Sequence, residues 1–243
     1  MFIRYAVLAL LLAVSGATPA SAQKLNYLPE IINIPELIPP PPAPDSQEFK
    51  DDLAGVMEAQ ENRTDIQLRR ALVQKELTIY HFSEVLGPKF KKQNLPVMDA
   101  FFEKAHTDQR ATLIAAKNKI QRMRPFMVDN RIQALGGTPR LPTGYPSGGT
   151  VMTQMTAILL SKMIPEKRPD LHESSREWNL TRIMIGEHFP RDIRAGEIAG
   201  TVIAHALMQV PAFMRDFEPA RVELRQVLGY PPEPDAVGSV QAK

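Results

Sequence analysis

Lys117 and Arg124 stand seven residues apart, close to two helical turns, so on one continuous helix their stems leave the same face and can grip one anion together. Lys119 and Arg122 lie between them, and taken alone such a basic run is what a solvated helix face also shows. Further on, Tyr145-Pro146-Ser147-Gly148-Gly149-Thr150 leads into an apolar stretch. That order sets a serine hydroxyl and unpaired backbone N–H groups at a helix start, where phosphate oxygens bind well. An ordinary glycine turn with Thr150 as its cap has the same composition. A third group is Arg182, His188 and Asp192, with Pro190 interrupting the helix so that His188 stands at a helix end. A carboxylate beside an imidazole holds one tautomer and leaves the other ring nitrogen as a neutral nucleophile or base. A surface His-Asp pair needs no more than these residues either.

The elements that must position these groups read as helices. Asp45 or Ser46 can cap a first stretch in which Leu53, Val56 and Met57 recur at helical spacing, continuing through 66–86 to a stop at Gly87-Pro88. Further helical periods cover 95–105, 108–123, 150–163, 174–187, 192–208 and 211–228, with Pro125 ending or kinking the third block. Strand-like alternation is absent, and 134–149 is rich in glycine and proline, which predicts one long loop. The expected fold is all-α, a single-domain helical bundle over 45–230. Before it, residues 23–44 carry alternating apolar residues and prolines up to the run Pro39-Pro40-Pro41-Pro42, which predicts an extended arm. Residues 231–243 are small, polar and proline-containing, and predict a disordered tail.

The amino terminus carries Arg4, an apolar run over 6–14, and Ala20-Ser21-Ala22. This is the pattern of a signal peptide over 1–22, followed by a mature chain from Gln23 in the periplasm or outside the cell. No later segment offers the roughly eighteen consecutive apolar residues of a membrane span, so no stable membrane insertion is expected after cleavage. With no cysteine, disulfides and thiol chemistry are excluded. The 29 basic and 27 acidic side chains leave a net charge of +2, too balanced for a nucleic-acid partner; local clusters must carry any anion binding.

Taken together, Lys117-x6-Arg124-Pro125, Pro146-Ser147-Gly148-Gly149 and Arg182-x5-His188-x3-Asp192 resemble the three-part signature of bacterial class A non-specific acid phosphatases, within the type 2 phosphatidic acid phosphatase superfamily. The resemblance extends from the proline-rich run Pro39 to Pro44 to about Leu228. It implies that Lys117, Arg124, Arg182, the Ser147 hydroxyl and backbone N–H groups near Gly148 bind phosphate oxygens. It further implies that His188 attacks phosphorus while Asp192 holds its ring, with no metal or other cofactor, because the cations stabilise the developing charge. Small phosphate esters are the implied substrates, and a homo-oligomer the implied assembly. Vanadate-dependent haloperoxidases look similar at the same three elements, but the short chain argues against them.

Two positions depart from that pattern. Thr181 replaces a serine and keeps the hydroxyl. Gly149 stands where the family pattern places the histidine that protonates the leaving group. A positioned acid is worth roughly 10²–10⁴-fold in rate, so esters of poorly acidic alcohols should suffer most and aryl phosphates least. His81 and His172 are the candidates to replace it. The alternative is an inactive phosphate-ester-binding protein of the same fold.

Overall fold

A computed structural model of the chain describes residues 24–74, 77–137 and 141–232. Its helices are α1 (Gln47–Asn62), α2 (Asp65–Val73), α3 (Ser83–Leu86), α4 (Pro96–Lys119), α5 (Pro125–Val128), α6 (Gly148–Met163), α7 (Arg168–Met184), α8 (Pro190–Met208) and α9 (Pro211–Leu228). Among the described residues there is no strand, only an isolated antiparallel bridge between Met123 and Thr143, and the fold is all-α. The expected signal peptide lies outside the described residues, as does the expected tail beyond residue 232.

Helix α6 is buried on nearly every side, its threonines included, as expected of a helix with neighbours all round. It packs against α8 and α7, and also against α4 and α9. The approach to α8 is the tightest. A Cβ on Gly196 would stand 2.9 Å from the Ser147 carbonyl oxygen, and one on Gly200 would stand 2.7 Å from that of Val151. Only glycines one turn apart allow the two backbones to meet there, and the contact sets the N-termini of α6 and α8 side by side. The Ser147 N–H then donates to the Asp192 carbonyl at 3.0 Å.

Two of the expected helical blocks, 95–105 and 108–123, are one helix, α4, which ends at Lys119. The apolar period breaks at His106, Asp108, Gln109 and Thr112, but these polar residues face inward and are buried. They continue the helix while interrupting its pattern. The main core gathers the Tyr27, Phe101, Phe213 and Phe217 rings between the arm, α4 and α9, with the Phe101 and Phe213 centroids 4.9 Å apart. A smaller core of Val56, Ile132, Ile183, Phe189 and Ile193 fixes α1 to α7 and α8.

The arm is extended, except for a 3-10 turn at Ile34–Glu36, and it is packed: Tyr27, Leu28, Ile34 and Ile38 are buried. Three successive N–H groups, of Asn26, Tyr27 and Leu28, donate to the Asp108 carboxylate at 2.7, 2.8 and 2.8 Å. Tyr145 Oη donates to the Pro39 carbonyl at 2.5 Å, tying the other end of the arm to the loop before α6. Replacing Asp108 by Ala strands three N–H donors and is expected to cost about 2–4 kcal/mol in denaturant unfolding, with Asp108→Asn losing less. A loss under about 0.5 kcal/mol would mean that the arm adds nothing to stability.

Candidate active site

Lys117 occupies the last turn of α4, and Arg124 lies beyond the helix end, extended as a residue before proline must be. The expected shared helix face is therefore absent. The helix gives way because 122–124 pairs with 143–144 instead: Gly144 N–H donates to the Arg122 carbonyl at 2.7 Å, next to the Met123–Thr143 bridge. The two cations still meet. Lys117 Nζ donates to the Thr143 carbonyl at 2.9 Å, and Arg124 Nε to that of Leu141 at 3.2 Å. One short segment of the glycine-rich loop thus aims both.

Ser147 is the N-cap of α6, so the helix starts at Gly148, earlier than a Thr150 cap would place it. The Ser147 Oγ accepts from Thr150 Oγ1 at 2.9 Å and keeps its own proton to donate. Gly148 and Gly149 are the first two helical residues, whose N–H groups have no partner within the helix. A Cβ on Gly148 would lie 3.9 Å from Lys117 Cε, so this helix start and the lysine share one space.

His188 stands just ahead of α8, whose first residue is Pro190. Its Nε2 lies 3.2 Å from Arg124 Nη1 and its Nδ1 3.4 Å from Asp192 Oδ2. A guanidinium only donates, so Nε2 must be the acceptor; the proton then sits on Nδ1, towards Asp192. The Nε2 lone pair is what a nucleophile requires. Asp192 itself is held on three sides: Phe189 N–H donates to Oδ2 at 3.0 Å, Arg122 Nη1 to Oδ1 at 2.7 Å, and the His188 ring adjoins Oδ2. Gly144 closes the other side, since a Cβ there would lie 3.0 Å from Asp192 Oδ2 and 3.7 Å from His188 Nδ1.

Arg122 and Asp52 are the functional partners that the sequence reading missed. Arg122 Nη2 donates to Asp52 Oδ2 at 2.6 Å, and its guanidinium lies 4.2 Å from the Phe189 ring centroid. A buried cation thus bridges two buried carboxylates, one on α1 and one beside the catalytic candidate. Arg191 adds a further bond to Asp52 at 3.1 Å. No local signal marks Asp52; Arg122 was visible only as one member of a basic run.

Electrostatics separates the titrating groups. Burial pushes the His188 imidazole down to about 4, with Arg124 and Lys117 adding to the shift and Asp192 opposing it. Burial also lowers the Lys117 ammonium to about 7; the Arg124 cation adds, and Asp192 opposes. Between those values His188 is neutral and Lys117 is charged.

Arg182 is placed differently. Its Nη2 donates to the Ala71 carbonyl at 2.8 Å and to Thr181 Oγ1, and its guanidinium lies 4.4 Å from the Trp178 ring centroid. Among the described residues its side chain shares no hydrogen-bond partner with Lys117, Arg124 or His188, and Nη1 has no protein partner. Its carbonyl accepts from the N–H groups of Glu187 and His188, so the residue shapes the turn that carries the imidazole. His81 stacks on Trp178 with centroids 5.9 Å apart. His172 lines a separate groove of about 530 Å³ with Gln154, Arg176, Arg194 and Thr201, none of them in this cluster.

The chain matches the PAP2 superfamily over residues 109–215, a span that contains Lys117, Arg124, Ser147, Arg182, His188 and Asp192. It is 27% identical over 239 residues to a non-specific acid phosphatase of Salmonella typhi, covering 91% of this chain and 92% of that protein. Identity to a non-specific acid phosphatase of Salmonella typhimurium is likewise 27%, over 231 residues, with 91% and 92% covered. An acid phosphatase of Zymomonas mobilis is 30% identical over 136 residues, covering 54% of this chain and 51% of that one. The imidazole, its carboxylate and the two cations, gathered at adjoining helix starts, all lie inside the span that matches the PAP2 superfamily.

Proposed function

We propose that this chain is an exported, metal-independent acid phosphatase that hydrolyses small phosphate monoesters through a phosphohistidine on His188 Nε2. The observation that carries this reading is the Arg124 Nη1 contact to Nε2, opposite the Asp192 contact to Nδ1, because together they leave the lone pair on the nitrogen that must attack. Lys117, Arg124, the Ser147 hydroxyl and the N–H groups of Gly148 and Gly149 supply donors for the phosphate oxygens, and the unpartnered Nη1 of Arg182 supplies another. In the first step the Nε2–P bond forms and the P–O ester bond breaks, its electron pair leaving on the alcohol oxygen. Water then attacks phosphorus, the Nε2–P bond breaks with its electron pair returning to Nε2, and inorganic phosphate leaves while the water's proton passes to solvent.

Gly149 brings no proton to the departing oxygen. Esters whose alcohols are stable as anions, such as aryl phosphates, are therefore favoured over alkyl phosphates. The second reading is a phosphate-ester-binding protein without turnover, and the same glycine supports it. Purified protein is tested with 4-nitrophenyl phosphate and with glycerol phosphate near pH 5. Turnover of the aryl ester, reduced at least about 10⁴-fold by His188→Ala, is expected; binding of phosphate without turnover of either ester would favour the second reading.

The pH profile follows from the two shifted groups. Below about 4, His188 takes up a proton and Nε2 loses its lone pair. Above about 7, Lys117 loses its charge and the oxyanion loses a counterion. A bell-shaped kcat/KM profile with limbs near those values is expected, after allowing for the ester's own second ionisation near about 6. Lys117→Arg, whose guanidinium stays charged, should remove the alkaline limb while leaving the acid limb in place. An alkaline limb unchanged in that variant would show that Lys117 does not set it.

Arg122→Met leaves Asp52 and Asp192 buried without their shared cation. A stability loss of about 3–5 kcal/mol is expected in denaturant unfolding. The part that still folds should show a lowered kcat, because Asp192 is no longer held against His188. Full kcat in a destabilised variant would separate the ion triad from catalysis.

A further inference from the structure

The glycine at 149 does not leave a vacant place. A Cβ built there would stand 2.3 Å from Trp178 Cη2 and 2.8 Å from Cζ3, well inside contact distance, with Leu77 Cδ2 at 3.3 Å behind. The outer edge of the indole fills the volume that any side chain at 149 would enter. This indole is firmly held. It is 1% exposed, its Nε1 donates to the Gln74 carbonyl at 3.0 Å, the His81 ring stacks on it, and the Arg182 guanidinium lies against its face at 4.4 Å. Gln74 follows α2, and the Ala71 carbonyl on α2 accepts from Arg182. One packed unit of α2, Trp178 and Arg182 therefore borders the start of α6 at Gly149.

We propose that Trp178 is the specificity-determining residue of this site: by occupying the space beside the α6 N-terminus it excludes a proton donor at 149 and so limits which leaving groups the site can expel. The proposal rests on the phosphatase reading above. It goes further in assigning leaving-group scope to a residue 29 positions from the glycine, on a different helix. The pair is reciprocal. Gly149 is required while Trp178 is present, and a histidine at 149 can reach the leaving oxygen only once the indole has been cut back.

The test is a cycle of four proteins: the parent, Gly149→His, Trp178→Leu, and the double variant. Each is assayed for kcat and KM on 4-nitrophenyl phosphate and glycerol phosphate. Gly149→His alone is expected to melt lower than the parent and to gain nothing on the alkyl ester. Trp178→Leu alone is expected to gain nothing there either, since no acid is present. The double variant should raise kcat on the alkyl ester at least about tenfold over the parent, with a smaller gain on the aryl ester and little change in KM, because a general acid acts in the transition state. A gain from Gly149→His alone as large as that of the double variant overturns the proposal, and so does no gain in the double variant.

Steric coupling is read independently of activity. Gly149→Ala adds only the Cβ and should lower the melting temperature by about 5 °C or more, and Trp178→Leu in the same chain should cancel that loss relative to its own single variant. Additive shifts would show that the two positions do not compete for space and overturn the proposal. The phosphatase reading is judged separately, by aryl-ester turnover in the parent and its dependence on His188. A parent without turnover whose double variant acquires it would sink that reading and support the role of Trp178.

Discussion

The site depends on how closely two helix backbones approach. Gly196 and Gly200 let α8 press onto α6 until a carbonyl of one lies where a methyl of the other would have to be. Because α6 begins opposite the second turn of α8, the contact brings the first N–H groups of α6 close to the N-terminal turns of α8, with the positive ends of both helix dipoles. Ser147 and Gly148 belong to one start, Asp192 to the other, and His188 just precedes it. The glycine-rich loop then aims Lys117 and Arg124 at this junction through the carbonyls of Thr143 and Leu141. Any larger residue at 196 or 200 would separate the helix starts and pull the imidazole from the donors.

Around that junction the charges are arranged at some energetic cost. Asp52, Arg122 and Asp192 are all buried, and removing ions from water is expensive even when they are paired. What the triad supplies is orientation: with Oδ1 taken by Arg122 and Oδ2 by Phe189 N–H, the Asp192 carboxylate cannot rotate, and His188 meets it in one pose. The same burial holds His188 neutral and weakens the hold of Lys117 on its proton. Desolvation thus opens a pH window, from about 4 to about 7, in which the imidazole is neutral and the ammonium charged, with the neighbouring charges adjusting the values.

Chemistry that depends on residue type was readable in the chain; chemistry that depends on distant contact was not. His188 and Asp192, four residues apart across a proline, and Ser147 before two glycines stand out by local spacing, and the fold brings them together. Lys117 and Arg124 were paired for a geometric reason that fails, since the helix stops at Lys119, yet the loop carbonyls bring them together all the same. Asp52 is 70 residues from Arg122 and carries no motif. Trp178 reads as one more core residue until its edge is found against Gly149. The broken period of α4 misled because buried polar residues look like exposed ones in a string of letters. Arg182, by contrast, was recognised as a cation but not as one committed to Ala71 and an indole face.

The arm has a consequence for how the chain acquires its shape. Asn26, Tyr27 and Leu28 bond to Asp108, Tyr27 also bonds to Asp216, and Pro39 bonds to Tyr145, with separations of about 80, 189 and 106 positions. The arm precedes all of these partners in the chain, and closing such large loops is slow. Docking of residues 24–44 therefore requires α4, α9 and the loop before α6 to be in place together, since its hydrogen bonds reach all three.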